Sequence, residues 1–324
     1  MRPPTWDFYF YQLLSQRFEL NDSDQRRLAR LRKGYEGECR LDASIQAAGL
    51  SSIYLQDVWL PSREGPATRL GSQLDGVLVL PDCLLLLEAK HYSGSFRYLG
   101  KKSLLNDRPY HHNLVNQLEN HVEDLRQFIE SFQLPPIPIR ALLIFTDDQL
   151  ALEGTPAHFL TYAQWLDLLG QLASIPPLAS QSLYFRALSP WQFQNPHRPR
   201  QLAPIEEQLL RRGLLCAKCG WGPLERSRYK CSCPACDFSE NKSRCYLRAL
   251  YEFALLHPDQ PITRRAVLDF LGEDANPKLV SKLLAHYAQQ QAYGHGANVP
   301  YAIAQPHLKL HDLLENPDQP VQIH

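Results

Sequence analysis

The order of hydrophobic and polar positions along the chain predicts an α/β protein. Two apolar runs flank Pro81-Asp82, a pair that suits the middle of a type I turn, and so predict a β-hairpin. Apolar residues at helical spacing occur before and after this hairpin. The predicted elements are helices at 5–30, 35–49, 113–131 and 162–169, and strands at 53–60, 74–80, 84–90 and 139–146. Helices on both sides of such strands indicate an α/β/α core.

The C-terminal part of the chain has a different pattern, three helical segments separated by short polar turns. They cover 246–256, 263–271 and 277–287, and a brief return of the chain follows near 292–303. This order predicts a winged helix-turn-helix, in which the third helix presents Lys278, Ser281 and Lys282 to the major groove of DNA. The alternative is a small three-helix bundle used for packing or dimerisation.

Cysteines are concentrated between these two regions at metal-ligand spacing. Six of the eight cysteines lie within 216–245, and four of them form two Cys-x-x-Cys pairs, the ligand set of a zinc ribbon. The predicted ligands of a structural Zn²⁺ are Cys216, Cys219, Cys233 and Cys236, with Cys231 as the alternative to Cys233. Metal-binding thiols, as opposed to disulfides, favour a reducing, cytoplasmic compartment.

Charge changes this picture only locally. The chain has 324 residues with 34 basic and 34 acidic side chains, so its overall charge predicts no partner. Between Arg211 and Arg248, however, nine Lys/Arg stand against three Asp/Glu, and a second basic patch follows the hairpin. Such patches suit a phosphate backbone, although charged runs are also typical of solvated surface. The candidate nucleic-acid-binding residues are Lys101, Lys102, Arg226, Arg228, Lys230, Lys278 and Lys282.

The sequence has neither a signal-peptide pattern at its start nor an apolar run of about twenty residues, the length that crosses a bilayer. We therefore expect a soluble protein with no membrane partner.

The predicted hairpin brings two acids together. If Leu80 pairs with Cys83 across the turn, antiparallel register sets Asp75 opposite Glu88, and Lys90 shares the face of Glu88. Opposed side chains lie about 5 Å apart, and like charges at that distance destabilise a sheet. A divalent cation with the lysine beside it would offset this repulsion. The alternative is a charged sheet end that faces water.

The residues around this hairpin resemble a known family. Gly34-Tyr-Glu-Gly-Glu38 precedes the Asp75 strand, Glu88-Ala-Lys90 ends the next strand, and Asn113-Leu-Val-Asn-Gln117 opens a helix after Gly94. This order resembles the NERD (nuclease-related domain) family, whose active site is of the PD-(D/E)XK nuclease type. The resemblance covers roughly residues 30–170. The family usually has Asn-Pro where this chain has Asn113-Leu114.

The resemblance implies a restriction-endonuclease-like fold and a metal-dependent active site. The residues that match the family pattern are Glu38, Asp75, Glu88, Lys90 and Gln117. In this interpretation the three carboxylates hold Mg²⁺ or Mn²⁺, and the lysine offsets charge on the phosphate. The glutamine contacts substrate or positions the lysine.

Together these patterns divide the chain into six segments. They are an N-terminal helical segment at 1–30, the nuclease-like domain at 31–170, a connecting segment at 171–210, the zinc ribbon at 211–245, the winged-helix-like domain at 246–305 and a tail at 306–324.

Three functions fit these features. The first is a metal-dependent nuclease that hydrolyses phosphodiester bonds, in DNA in preference to RNA because of the helix-turn-helix pattern. The second is a DNA-binding regulator or adaptor whose nuclease-like domain does not cut. The opposed acids argue against it, since binding alone needs none. The third is a zinc-stabilised protein-interaction module.

Overall fold

The chain forms two compact units. The structure is a computed structural model that describes residues 2–61, 70–100, 102–174, 182–292, 296–317 and 319–322. The first unit comprises Met1–Arg2 and Arg32–Pro196, and the second comprises Pro3–Leu31 and His197–His324. The mixed α/β architecture predicted from the sequence is confirmed.

The helices and strands are numbered in chain order. The helices are α1 Trp6–Arg17, α2 Asp22–Ala47, α3 Leu114–Ser131, α4 Tyr162–Leu172, α5 Leu183–Leu188, α6 Pro204–Leu209, α7 Lys242–Leu256, α8 Arg264–Leu271, α9 Pro277–Tyr287 and α10 Pro306–Glu315. The strands are β1 Tyr54–Pro61, β2 Leu70–Val79, β3 Leu84–Lys90, β4 Ser95–Tyr98, β5 Ser103–Leu105, β6 Arg108–Tyr110, β7 Ile139–Phe145, β8 Ala151–Glu153, β9 Phe159–Thr161, β10 Glu225–Arg226, β11 Lys230–Ser232, β12 Ser239–Asn241, β13 Gln289–Gln290 and β14 Tyr301–Ala302.

A five-stranded mixed sheet organises the first unit. Its strand order is β1-β2-β3-β7-β9, with antiparallel pairing among the first three strands and parallel pairing from β3 to β7 and β9. Successive residues of β3 point to opposite faces of this sheet. Leu84 and Leu86 pack in a cluster that includes α3, whereas Leu85 and Leu87 pack in a cluster that includes α2 and α4. The result is the predicted α/β/α layering, with a smaller sheet of order β6-β5-β4-β8 in the same unit.

Both faces of β3 are covered, which explains why its sequence is a continuous apolar run rather than an alternating pattern. Helix α3 presents Leu118 and Leu125 to the sheet. It begins without the proline usual in the family because Asn113 caps it, accepting a hydrogen bond from the Asn116 backbone N–H at 3.2 Å.

The helices before β1 differ from the prediction. The segments predicted as helices at 5–30 and 35–49 are instead α1 and a 26-residue α2. The backbone is extended at Phe18, with φ −149° and ψ 147°, so α1 ends there. Helix α2 then continues through Gly34 and Gly37. Glycine costs about 1 kcal/mol relative to alanine within a helix, and the sequence pattern alone does not reveal what offsets this cost.

The second unit has its own hydrophobic core, formed by residues from α1, α7, α8, α9 and α10. A buried ionic network stabilises it. Arg17 donates to Glu252 at 2.7 Å, and Arg248 bonds both Glu252 and Glu240. Pairing satisfies these charges, which would be costly to bury alone.

The C-terminal part of this unit has the order of elements predicted for a winged helix. Helices α7, α8 and α9 are followed by the β13–β14 hairpin, and Tyr301 of this hairpin also pairs with Ile262 before α8. The chain thus runs helix, a single β-bridge residue, two helices and the β13–β14 pair. Among the described residues, no helix combines the length and the apolar character needed to cross a membrane.

Candidate functional site

The β2–β3 hairpin has the register predicted from its turn. Leu80 donates its backbone N–H to the Cys83 carbonyl at 3.0 Å, and the paired residues run from Val79↔Leu84 to Gly76↔Leu87. One residue further, the same register sets Asp75 opposite Glu88. The Asp75 carboxylate accepts the Ala89 backbone N–H at 2.9 Å. This bond holds the acid at the end of the ladder.

Gly76 makes room beside Asp75. A Cβ at this position would lie 2.6 Å from the Tyr54 ring and 2.7 Å from its hydroxyl oxygen. Only glycine lets this ring pack against β2, where the tyrosine hydroxyl donates to Asp42 at 2.7 Å.

Three side chains surround the Glu88 carboxylate, which is 3% exposed. Lys90 donates to its Oε1 atom at 2.7 Å, and Gln117 of α3 donates to the same oxygen at 2.6 Å. His121, one helical turn after Gln117, lies with Nδ1 at 3.4 Å from Oε2. That distance is too long for a well-formed hydrogen bond. The structure thus brings three of the predicted site residues, Glu88, Lys90 and Gln117, into contact and adds a histidine to them.

Both hydrogen bonds to Glu88 use the same oxygen. Within the described part of the chain, Glu88 Oε2 and His121 Nδ1 are buried and have no hydrogen-bond partner. A buried polar atom without a hydrogen-bond partner lowers the free energy of unfolding by about 1–3 kcal/mol. Oxygen ligands from carboxylates are those that Mg²⁺ and similar hard cations bind. Glu88 and Asp75 therefore fit a divalent cation, which would satisfy the second oxygen of Glu88.

The electrostatics of Asp75 and Glu88 are those of two acids that share one site. Burial and the neighbouring Glu88 raise the pKa of Asp75 well above its usual range. Burial would also raise the pKa of Glu88, but the Lys90 ammonium and His121 hold it below its usual value. For Lys90, burial works to lower the pKa, and the charges of Glu88 and Asp75 outweigh it and raise the pKa. The lysine is thus held as a cation.

Glu38 lies on α2, and its carboxylate is paired with Arg2 at 2.8 Å. The Arg2 side chain is buried, and it also bonds Asp42 twice, at 2.8 and 2.7 Å, and donates to the Asp75 carbonyl at 2.9 Å. The Arg2 carbonyl in turn accepts the Tyr35 hydroxyl at 3.0 Å. One guanidinium therefore links the strand that carries Asp75 to the helix that carries Glu38.

The second glycine of the Gly34-x-x-Gly37 motif explains how α2 approaches the site. A Cβ at Gly37 would lie 2.7 Å from the His91 Cβ and 2.9 Å from the Thr146 Oγ1. Both neighbours directly follow the strands β3 and β7. Gly37 therefore lets α2 pack against the ends of β3 and β7, and Glu38 is the next residue along the helix.

Arg2 and His121 were not identified from the sequence. His121 had a usable signal, because residues four apart on a helix share a face and Gln117 was already a candidate. Arg2 had none, since its partners are 33 to 73 residues away along the chain.

The predicted zinc-ribbon cysteines also come together. Cys216 and Cys236 have their sulfurs 3.6 Å apart, as do Cys219 and Cys233. All four sulfurs lie within 4.8 Å of one another. A zinc site needs at least three His, Cys, Asp or Glu side chains whose ligand atoms lie this close together. Among the residues that the structure describes, these four cysteines are the group that meets this condition. The three carboxylates Glu38, Asp75 and Glu88 do not form such a group.

Four thiols that meet at one point suit a soft cation. Although burial raises the pKa of Cys233, the Ala235 backbone N–H and the Cys219 side chain lower it to about 7. The alternative ligand, Cys231, lies instead against Cys245, whose thiol lowers the pKa of Cys231. Cys231 is on β11, which pairs with β12.

The candidate basic residues occupy different environments. Lys101 lies outside the described residues. Arg226 is partly buried and donates to the Leu271 carbonyl at 3.3 Å, so it serves the packing of the second unit. The exposed residues are Lys102 in the first unit, Arg228 and Lys230 in the ribbon, and Lys278 and Lys282 on α9.

Comparison with known proteins gives one match. Residues 33–146 match the NERD family model, described as a nuclease-related domain. No curated protein and no solved structure matches the chain. The matched region spans the C-terminal part of α2, the β2–β3 hairpin and α3, the elements that carry the candidate acids, lysine and glutamine. The resemblance predicted from the sequence is therefore confirmed for residues 33–146, which match the model of a nuclease-related domain.

Proposed function

We propose that the protein is a divalent-metal-dependent nuclease that hydrolyses phosphodiester bonds. The observation that carries the proposal is the end of the β2–β3 hairpin. There, Asp75 and Glu88 lie one position beyond the Gly76↔Leu87 pair, and Lys90 bonds one oxygen of Glu88. The other oxygen is buried with His121 Nδ1 3.4 Å away and has no hydrogen-bond partner among the described residues. Binding or packing alone would not require two buried acids at one strand end.

The residues that would hold Mg²⁺ or Mn²⁺ are Asp75 and Glu88, with Glu38 contributing charge from α2. Such a cation polarises a phosphodiester and acidifies a bound water. Lys90 would place its ammonium beside the phosphate and offset the charge that develops there. Gln117 bonds the same Glu88 oxygen as Lys90, so we assign it the role of keeping that carboxylate and the lysine in one orientation.

The second unit would supply substrate binding. Lys278 and Lys282 are exposed on α9, the third helix of the winged-helix order, and Ser281 lies between them. In helix-turn-helix proteins this helix enters the major groove, which favours DNA over RNA as the substrate. Lys102, Arg228 and Lys230, with Lys101, would add contacts to the phosphate backbone.

We also propose that Cys216, Cys219, Cys233 and Cys236 hold a structural Zn²⁺. Four thiolates form a closed tetrahedral set that leaves no position for substrate. The ion would stabilise the short strands β10, β11 and β12, which have few residues with which to build a core of their own.

One observation favours a second function, a DNA-binding regulator or adaptor that does not cut. Glu38 is engaged by Arg2, and the three carboxylates do not converge as a three-ligand group within the described residues. In that case the nuclease-related domain would be a binding scaffold.

Cleavage assays with matched variants separate the two functions. Labelled DNA and RNA are incubated with the full-length protein and Mg²⁺ or Mn²⁺. We expect Asp75→Asn and Lys90→Met each to reduce cleavage by about 10²–10³-fold, the size typical of losing one electrostatic group from an active site. Asp82→Asn changes an exposed acid in the turn of the same hairpin and should leave cleavage unchanged.

Wild-type cleavage by both Asp75→Asn and Lys90→Met would show that the active site is elsewhere. Salt-dependent binding of DNA by the wild-type protein, with no cleavage under either metal, would favour the regulator.

A further inference from the structure

The turn between β10 and β11 forms a rigid, basic tip on the second unit. The Ser227 backbone N–H donates to the Lys230 carbonyl at 2.9 Å, and the Lys230 backbone N–H donates to the Ser227 hydroxyl at 3.0 Å. Arg228 and Tyr229 are the two central residues of this turn. We call residues 226–230 the ribbon tip.

Lys242 of helix α7 holds the ribbon tip through two hydrogen bonds. The Lys242 backbone N–H donates to the Tyr229 carbonyl at 2.7 Å, and its ammonium donates to the Ser227 carbonyl at 3.1 Å. Lys242 is the first residue of α7, a helix whose side chains are almost all buried. The backbone of the tip is therefore fixed to a packed element.

The Tyr229 ring is held out into solvent. It is 63% exposed, compared with 44% for Phe132 and 40% for Trp221, the other large aromatic side chains that are exposed among the described residues. The Arg228 guanidinium lies over the ring, 5.0 Å from its centroid. With 63% of the residue exposed and a cation beside the ring, Tyr229 has surface open to a flat partner.

The charge around this ring is entirely positive within the tip. Arg228 and Lys230 are exposed in the tip, Lys242 contacts it, and residues 226–230 include no acid. Exposed cations on the same turn as an exposed aromatic ring match a phosphate backbone from which a base projects.

We infer that the ribbon tip binds single-stranded nucleic acid, with Tyr229 stacking on an unpaired base and the surrounding cations contacting the adjacent phosphates. A single strand fits better than a duplex because the faces of paired bases are covered by their neighbours, whereas unpaired bases can be stacked on aromatic side chains. The inference rests on the proposed function, because both take nucleic acid as the substrate. It adds that an unpaired segment of the substrate binds to the ribbon tip.

Fluorescence anisotropy tests this with the full-length, zinc-loaded protein. The probes are a labelled 12-nucleotide single strand and the same sequence as a duplex, at low salt and without added Mg²⁺ or Mn²⁺. We expect Tyr229→Leu to weaken binding of the single strand by about 5- to 150-fold, the range for losing one stacked base. Duplex binding should change by less than about 2-fold, since no stack is lost there.

Two variants control for this effect. Tyr229→Phe keeps the ring and should restore single-strand affinity to within about 3-fold of wild type, because stacking needs only the aromatic face. Phe132→Leu makes the matching change at an exposed ring of the first unit and should leave binding unchanged.

Unchanged single-strand affinity in Tyr229→Leu would overturn the inference, as would equal losses for single strand and duplex, which would mean that the tip acts through charge alone. A wild-type protein that does not bind the single strand would also overturn it. Single-strand binding through Tyr229 without cleavage under either metal would contradict the nuclease proposal alone, so the two can fail separately.

Discussion

Arg2 offers the sharpest test of how the candidate site is held together. Its guanidinium is 1% exposed and makes hydrogen bonds of 2.7–2.9 Å to Asp42, Glu38 and the Asp75 carbonyl. The substitution Arg2→Met keeps an unbranched apolar side chain of similar length and removes the charge and every one of these bonds. We expect it to destabilise the first unit and to leave the second unit unchanged.

The expected loss follows from the environment of each partner. Removing one member of a buried ion pair costs about 3–5 kcal/mol, because the other charge stays buried without compensation. Asp42 would keep the hydrogen bond that it accepts from the Tyr54 hydroxyl at 2.7 Å. The Glu38 side chain is 22% exposed, so water can solvate its carboxylate. We therefore expect the lower end of the range, about 3 kcal/mol.

Hydrogen–deuterium exchange measured by mass spectrometry localises this loss. A loss of about 3 kcal/mol in the free energy of opening corresponds to exchange about 150-fold faster in β2 and β3. Arg40→Met is the matched control, since Arg40 also bonds an aspartate twice, Asp148, but at the surface. Exposed ion pairs contribute up to about 1 kcal/mol, so this control should accelerate exchange by less than about 5-fold.

A double variant isolates the ionic part of the effect. Arg2→Met combined with Asp42→Asn should be less destabilised than the sum of the two single variants, because the second change removes the unpaired charge. If Arg2→Met accelerates exchange in β2 no more than Arg40→Met does, the reasoning is refuted and the guanidinium is not what holds the Asp75 strand to α2.

Two further predictions concern the second unit. Elemental analysis should find about one zinc per chain. Cys233→Ser should lower this content and speed hydrogen exchange in β10–β12 while Cys39→Ser does neither; full zinc in Cys233→Ser would contradict the ligand assignment. Burial and the neighbouring His311 lower the pKa of His307 to about 4 from its usual 6.5. The unfolded chain therefore binds more protons between these pH values, and the second unit should lose up to about 3 kcal/mol as the pH falls from 6.5 to 4. Denaturant midpoints for wild type and His307→Gln should show a weaker pH dependence in the variant, and equal dependence would contradict this.

The local features of the site were predictable from the sequence. The Pro81-Asp82 turn and the period-2 alternation of strands together determine the register, so Asp75 and Glu88 could be set opposite each other before any coordinates. The spacing of the two Cys-x-x-Cys pairs likewise predicted which four thiols meet.

The long-range features were not predictable. Nothing in the sequence around Arg2 indicates that its side chain reaches a helix and a strand far along the chain. The continuity of α2 through Gly34 and Gly37 was also missed, because glycine disfavours helix in isolation. The close approach to His91 and Thr146 that requires Gly37 is a property of the packed unit.

Helix α3 ties the interior of the first unit to its chemistry. The same helix buries Leu118 and Leu125 in the sheet and orients Gln117 and His121 toward Glu88. A change in the volume of either leucine would shift the helix by a fraction of an ångström, and hydrogen bonds of 2.6 Å tolerate little displacement. Mutations in this part of the core should therefore disturb the contacts to Glu88 before they unfold the domain.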